Sequence, residues 1–132
     1  MDKVSKRSIS IGAFGLALAI LLGAMAAHYL KDKLELKEIN VFETAVKYQF
    51  YGCLGLVLMG ILNHLGTQKL LLPMRFLGFG ILIFSGTLYF LALKTLANIE
   101  GLKWVGAITP LGGILMIISW IWVGVLFSKN TK

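Results

Sequence analysis

Charged residues divide this 132-residue chain into short polar stretches separated by long apolar ones. All 19 charged side chains fall in five stretches, and the four windows between them are uncharged over 23, 21, 18 and 25 residues. The windows are residues 8–30, 48–68, 76–93 and 104–128. About 20 apolar residues, at a rise of about 1.5 Å each, cross a hydrocarbon layer roughly 30 Å thick. The pattern therefore predicts four membrane-spanning helices with little chain outside the bilayer.

Capping and turn residues refine the ends of these helices. Asn40, followed three residues later by Glu43, fits a variant capping box and predicts that the second helix starts near residue 41. Gly66 suits the C-terminal end of that helix, and Pro73 suits the first turn of the third. The turn signal at residues 98–101 separates the last two helices. We therefore predict one all-α domain, an antiparallel four-helix transmembrane bundle, with helices at about 8–30, 41–65, 73–97 and 104–127.

Small residues recur every four positions along the first predicted helix. They are Gly15, Ala19, Gly23 and Ala27. Such a stripe lets a second helix backbone approach closely, because van der Waals packing replaces the missing hydrophobic driving force inside a membrane. The stripe predicts tight helix packing and does not identify a partner.

An antiparallel bundle brings the end of helix one, the start of two, the end of three and the start of four to one side of the membrane. Most polar residues near the apolar windows lie in those segments, and only a few, such as Asn63 and Ser119, lie in the other half. Unpartnered polar groups in a bilayer cost several kcal/mol each, so we expect these groups to bond to one another. The predicted polar cluster, a candidate ligand or partner contact, comprises His28, Glu43, Tyr48, Gln49, Ser85, Gly86, Tyr89, Thr109, Pro110, Gly112 and Gly113.

Pro110 leaves two alternatives for the last helix. It either kinks a continuous helix by freeing an earlier carbonyl, or it occupies the first position of a shorter helix capped by Thr109. In the second case residues 110–127 form about 27 Å of helix whose free N–H groups favour an anionic or carbonyl oxygen.

Composition and charge narrow the function classes. The chain is 58% apolar and 14% charged, which argues against a soluble domain. The net charge of +7 is spread over every connection without an aromatic-interleaved basic face, so we expect no nucleic-acid partner. The first apolar window is longer than a signal-peptide core and is interpreted as a spanning helix. We expect a multi-pass protein of the cell (inner or plasma) membrane, and the Lys3, Lys6 and Arg7 cluster favours both termini in the cytoplasm.

Four segments carry a resemblance to a known family. They are GAMAAHYLKDKL at 23–34, FETAVKYQF at 42–50, FSGTLYFLAL at 84–93 and ITPLGG at 108–113. Together they resemble the small membrane proteins catalogued as domain of unknown function 423, whose relatives in animals include transmembrane protein 256. The resemblance implies a four-helix inner-membrane protein without an established activity. It places His28, Tyr48, Gln49, Ser85, Gly86, Tyr89, Thr109, Pro110, Gly112 and Gly113 on the family pattern.

One position departs from that family pattern. The family commonly has a histidine where this chain has Gly52. The resemblance therefore does not imply a paired-histidine site for haem or a metal, and we expect no cofactor and no metal.

Three function classes remain to be weighed. An enzyme is disfavoured, because two distant histidines and one isolated cysteine do not make a zinc site and Ser85 lacks an evident base. A transporter, channel or small-ligand-binding protein is the alternative, although all Lys, Arg, Asp and Glu residues lie at boundaries. The leading hypothesis is a structural or interaction module that packs against lipids, other membrane subunits or a second copy of itself.

Overall fold

The computed structural model describes residues 1–66 and 68–129 of the chain. Their order is α1 (Lys3–His28), a 3-10 turn (Leu30–Asp32), α2 (Leu36–His64), α3 (Leu71–Leu93) and α4 (Val105–Ser128). All four α-helices are long and apolar enough to cross a membrane, and the described residues contain no strand. The predicted all-α, four-helix membrane bundle is therefore confirmed.

The helices pack in the order of the sequence. α1 packs on α2, α2 on α3 and α3 on α4, with at most marginal backbone approach between any other pair of α-helices. Burial follows this order, since 44% of the most apolar 18-residue window of α2 is buried, against 17% in α1 and in α4. α2 is thus the central helix, and α1 and α4 each leave a broad apolar face uncovered by the chain.

The face of α1 that packs on α2 follows a seven-residue repeat. Ser5, Gly12, Ala19 and Ala26 are all buried, whereas Ala27 is exposed. A four-residue step advances about 40° around a helix with 3.6 residues per turn, so a four-spaced stripe rotates out of the interface. A seven-residue step drifts by only about 20° and keeps facing the neighbour. Within the described residues, Ala27 of the predicted stripe takes no part in the packing of α1 on α2, although Ala19 is buried and Gly15 and Gly23 are partly buried.

Glycines allow the closest helix contacts. A Cβ added to Gly12 of α1 would lie 2.6 Å from the Cys53 carbonyl oxygen of α2. A Cβ added to Gly112 of α4 would meet the Phe84 backbone nitrogen of α3 and lie 2.9 Å from the Gly80 carbonyl oxygen. At both positions one backbone rests directly on another, which only glycine permits.

α2 begins earlier than the capping signal predicted. Glu35 is its N-cap residue, and the Glu35 and Glu38 side chains form a reciprocal capping box. The proposed cap by Asn40 and Glu43 is wrong, because both residues lie inside the helix and the Asn40 carbonyl accepts a hydrogen bond from Thr44. With 29 residues, α2 is about 43 Å long, so its charged first turns extend beyond a hydrocarbon layer of about 30 Å.

The turns between the later helices depend on left-handed backbone conformations. Gly66 follows the end of α2 with a φ of 75°. α3 ends at Leu93, four residues earlier than expected, and Asn98 and Gly101 adopt φ values of 55° and 75°. Pro73 lies in the first turn of α3, where its missing N–H removes no helical hydrogen bond.

Pro110 lies inside α4, which runs continuously from Val105 to Ser128. The alternative of a shorter helix that begins at Pro110 is therefore wrong. Proline has no N–H, so the carbonyl of Gly106 loses its usual intrahelical donor. The first turn of α4 instead forms around Trp104 and Val105, before the proline.

The connection between α1 and α2 folds back over its end of the bundle. Leu30 and Leu34 are buried together with Ala26, Phe42 and Ala92, so the connection covers the ends of three helices. This apolar cap explains how a segment with six charged residues, Lys31–Glu38, keeps an ordered structure at a membrane boundary. We call this end of the bundle the loop end, and the opposite end, where α1 begins and α4 ends, the termini end.

Candidate functional site

Gln49 of α2 is the centre of a hydrogen-bond chain that joins three helices. Its side-chain Nε2 donates to the Gly15 carbonyl oxygen of α1 at 2.9 Å. Its Oε1 accepts from the Tyr89 hydroxyl of α3 at 2.7 Å. Gln49 is 7% exposed, so these bonds form largely away from solvent. The amide therefore uses a donor on one side and an acceptor on the other to connect α1 with α3.

Two further contacts join α3 to its neighbours in the loop-end half of the bundle. The Ser85 hydroxyl donates to the Ala45 carbonyl oxygen of α2 at 2.8 Å. On another face of α3, the Thr87 hydroxyl forms a hydrogen bond with the Thr109 hydroxyl of α4, and the two oxygen atoms lie 2.6 Å apart. Ser85 and Thr109 are both buried. These contacts form separate interhelical bonds on two faces of α3, and no bond described in residues 1–66 and 68–129 links them to the Gln49 chain.

Aromatic rings surround the Gln49 chain. The Tyr89 ring packs edge-on against Phe42, with ring centroids 5.0 Å apart. Tyr48, which is 41% exposed, places its ring 4.8 Å from that of Phe84 and 6.0 Å from that of Tyr51. Tyr48 therefore contributes a ring contact at the surface of the bundle and lies outside the buried polar chain.

Besides Tyr48, four exposed members of the predicted polar cluster lie outside the polar contacts described above. His28, Glu43, Gly86 and Pro110 are exposed. Glu43 lines a surface groove that also includes Ala26, Ala27 and Lys31, at the side of the loop end. A Cβ added to Gly86 would meet nothing within 4 Å.

The two remaining glycines of the predicted cluster lie at the interface of α3 and α4. Gly112 is buried against the backbone of α3. Gly113 is half-buried, and a Cβ there would make ordinary contact with the Phe84 ring at 3.5 Å. Both glycines therefore serve helix packing. The predicted cluster thus combines residues in three environments: buried hydrogen-bonded side chains, exposed positions and packed glycines.

The termini end contains a second set of interhelical hydrogen bonds, although the sequence pattern predicted only a few polar residues in this half of the bundle. Asn63 of α2 donates to the Ser5 hydroxyl of α1 at 2.9 Å and accepts from the Leu70 backbone N–H at 2.9 Å. The Ser119 hydroxyl of α4 donates to the Pro73 carbonyl oxygen of α3 at 2.7 Å. Polar contacts thus occur in both halves of the bundle rather than mainly in one.

Ser8 completes the α1–α2 contacts near the termini end. Its hydroxyl donates to the Leu56 carbonyl oxygen at 2.7 Å, and the residue is 6% exposed. The signal for Ser5 was present in the sequence, because Ser5 begins the seven-residue repeat that includes Gly12 and Ala19. That repeat starts among charged residues, outside the uncharged window that defined the predicted helix.

The chemistry available inside the bundle is that of uncharged hydrogen-bonding groups. Within residues 1–66 and 68–129, every buried side-chain nitrogen or oxygen atom has a hydrogen-bond partner. The same residues contain no group of three or more His, Cys, Asp or Glu side chains arranged to hold a metal ion. The arrangement can therefore fix helices against one another, and in the described residues no fully buried side-chain nitrogen or oxygen atom is left unpaired for a substrate.

Asp2 is the one acidic group at the termini end, and it caps α1. Its carboxylate accepts a hydrogen bond from the Ser5 backbone N–H at 2.8 Å. Hydrogen bonding from Ser5, first from its side chain and then from its backbone, lowers the pKa of Asp2 below the ordinary 3.8. The carboxylate is therefore the favoured form at neutral pH and stabilises the start of the helix.

Comparison with known proteins identifies similar chains. A family described as "Protein of unknown function (DUF423)" matches residues 22–113. The chain is 41% identical over 113 residues to a "UPF0382 membrane protein" of Staphylococcus epidermidis, covering 86% of this chain and 88% of the relative. It is 40% identical over 123 residues to the "UPF0382 membrane protein YwdK" of Bacillus subtilis, covering 92% and 95% of the two chains. No solved structure matches the chain.

Proposed function

Because the chain belongs to the DUF423 family of membrane proteins of unknown function, whose names state no enzymatic activity, we propose that it is a structural module of the membrane. In this role it packs through its outer helices against another membrane protein subunit or a second copy of itself. The proposal concerns association, and it requires no reaction and no bound cofactor.

The observation that carries this proposal is the use of interior polar groups. Gln49, Ser85 and Ser119 each bond to a neighbouring helix, and so do the other buried hydroxyl and amide groups described above. A catalytic or transport site needs polar groups that remain available to a substrate or ion. Here those groups form hydrogen bonds that hold the helices together, which supports a structural role.

The outer faces of α1 and α4 are the surfaces that we propose for association. Phe14 on α1 is 77% exposed, and Ile117 on α4 is 59% exposed. Among the described residues, the backbone of each of these helices packs closely on only one neighbour, α1 on α2 and α4 on α3, although the Met116 and Trp120 side chains of α4 also reach Gly52 and Gly55 of α2. α3, by contrast, packs on α2 and on α4, so the exposed side of its Leu82, at 70%, is a suitable reference surface.

Photo-crosslinking in native membranes tests the proposal. A photoreactive amino acid replaces Phe14, Ile117 or Leu82 in separate full-length variants. We expect protein adducts at position 14 or 117 and mainly lipid adducts at position 82. Mixing two differently tagged copies distinguishes a second copy from another subunit. Lipid adducts alone at all three positions would reject the proposal.

We also propose that the protein lies in the cell membrane with both termini on the cytoplasmic side. The cluster of Lys3, Lys6 and Arg7 adjoins the first spanning helix, and basic residues near the first helix favour the cytoplasmic side. Labelling of single cysteines at the loop end and the termini end in intact cells tests this orientation separately from the question of association.

A further inference from the structure

The fold distributes the charges of the chain unequally between the two ends of the bundle. Among the described residues, the termini end carries six basic side chains and one acidic one, a formal charge of +5. The basic residues are Lys3, Lys6, Arg7, Lys69, Arg75 and Lys129. The loop end carries six basic and five acidic side chains, a formal charge of +1. Nearly all the net positive charge therefore lies at one end.

The contacts of the structure bring these basic residues to the same end. Asn63 bonds to both Ser5 and Leu70, so the turn that contains Lys69 is held against the start of α1. Ser119 bonds to Pro73, which holds the last part of α4 against the first turn of α3. The basic residues thus lie around the termini end of the bundle, on α1, in the turn between α2 and α3, on α3 and just after α4.

The basic side chains of the termini end are all exposed. The one nearby acid, Asp2, accepts a hydrogen bond from Ser5 as the cap of α1. At the loop end the situation differs, because Lys33 donates to the Tyr29 hydroxyl at 2.7 Å and Lys94 donates to the Gly101 carbonyl oxygen at 2.8 Å. Two of its six basic groups are engaged locally, and five acids oppose the rest.

We propose that the termini end is a docking surface for the headgroups of anionic phospholipids. The basic residues lie where the apolar helices end, which is the depth of lipid headgroups. They point outward on several helices, so they fit a ring of separate phosphate groups better than one continuous polyanion. Basic side chains next to a membrane surface attract anionic lipids, each by about fivefold. This inference rests on charge and does not depend on the association proposed for α1 and α4.

Lipid retention measured by native mass spectrometry tests the proposal. The full-length protein is purified in an uncharged detergent and mixed with equal amounts of phosphatidylglycerol and phosphatidylcholine. One variant carries Lys3→Gln, Lys6→Gln, Arg7→Gln and Lys69→Gln at the termini end. A matched control with the same change in charge carries Lys31→Gln, Lys37→Gln, Lys47→Gln and Lys103→Gln at the loop end.

We expect the wild-type protein and the loop-end control to retain phosphatidylglycerol preferentially. The termini-end variant should lose at least about tenfold of that preference, since four basic side chains at about fivefold each set an upper limit of about 600-fold. Equal loss in both variants, or no preference in the wild-type protein, would overturn the proposal. Circular dichroism melting in the uncharged detergent verifies that both variants fold.

A salt series on the wild-type protein provides a second readout that needs no mutation. The preference for phosphatidylglycerol should fall as salt rises from about 0.05 M to about 0.5 M, because the screening length shortens from above 10 Å to below 5 Å. A preference that does not change with salt would mean that the acyl chains or the glycerol group select the lipid, and it would contradict the proposal.

Discussion

Glycine residues in this bundle differ in what an added methyl group would meet. At Gly112 it would meet the backbone of α3 at Phe84, whereas at Gly86 it would meet nothing within 4 Å. Polar residues differ in the same way, because Gln49 is bonded to two helices and His28 is exposed. The role of a residue is therefore decided by its direction on the helix, and residue type alone does not reveal it.

Gly112→Ala should lower the free energy of unfolding by about 1–3 kcal/mol, because the new methyl group forces α3 and α4 apart. Gly86→Ala is the matched control on α3, and it should be neutral or slightly stabilising, since alanine favours a helix and the site is open. Thermal melting in detergent measures both. Equal melting points for the two variants would contradict the packing described for α4.

Tyr89→Phe should lower the free energy of unfolding by about 1 kcal/mol, because the Gln49 side-chain oxygen loses its donor. Gln49→Leu should cost a similar amount, and the double variant should cost less than the sum of the two. Tyr51→Phe is the control, since Tyr51 is 56% exposed. Strict additivity in the double variant would show that the two side chains are not coupled.

At the scale of elements, the helix ends depend on short local contacts as well as on the apolar windows. Asp2 caps α1, and Glu35 with Glu38 caps α2. Asn63 then ties the end of α2 to the start of α1 and to the following turn. Each of these contacts involves at least one residue outside the uncharged windows, where hydropathy gives no information.

The cap of α1 should respond to pH. Because hydrogen bonding lowers the pKa of Asp2 in the folded protein, the cap stabilises α1 above the ordinary value of 3.8 and is lost as pH falls through the lower folded value. The amide proton shift of Ser5, measured by NMR in detergent micelles, should therefore titrate with a midpoint below 3.8. Asp2→Asn should abolish this titration while keeping a capping side chain. A midpoint at or above 3.8 would disprove the stabilising bond.

Asn63→Ala should loosen the turn between α2 and α3. The Leu70 N–H would lose its acceptor and Ser5 would lose its donor. We expect the Leu70 amide to exchange at least several-fold faster with deuterium, because its protection depends on that bond. His64→Ala, at the exposed neighbouring position, should leave exchange unchanged. Unchanged Leu70 exchange in Asn63→Ala would contradict the proposed tie.

At the scale of the whole molecule, the chain is an open series of four antiparallel helices. Both ends of the bundle are formed by parts distant in sequence, as the bond between Ser5 and Asn63 shows at one end and that between Thr87 and Thr109 in the other half. The central helices hold the bundle together, and the outer helices present most of the surface that faces the membrane. Net positive charge is concentrated at the termini end, so the two ends of the bundle present different electrostatic environments to the two membrane surfaces.

Cysteine labelling should reveal this two-sided arrangement. Starting from Cys53→Ala, single cysteines replace Lys33 or Ile99 at the loop end and Lys6 or Lys69 at the termini end. A membrane-impermeant reagent applied to intact cells should label positions 33 and 99 and should reach 6 and 69 only after the membrane is opened. If the cysteines at positions 33 and 99 were labelled from opposite sides of the membrane, the antiparallel bundle would be rejected. The inverse labelling of both pairs would instead reject only the cytoplasmic orientation of the termini.

The sequence by itself determined the number of helices and the class of the protein. Uncharged windows of this length have few stable alternatives in a bilayer, because every backbone polar group must find a partner within the helix. It also identified Gln49, Ser85, Tyr89 and Thr109 as polar residues that need partners. Gly66 and Pro73 marked helix ends correctly, since the conformation each allows is a local property.

Only the tertiary structure decided which residues face which helix. Ala26 and Ala27 lie about 100° apart around α1, so one is buried and the other exposed, and the sequence does not fix on which side the neighbouring helix lies. The same applies to Glu43 and Pro110, which share a half of the bundle with Gln49 but face outward. Hydropathy counts apolar residues along the axis, whereas contact depends on rotation about it, and rotation is set by packing against a neighbour.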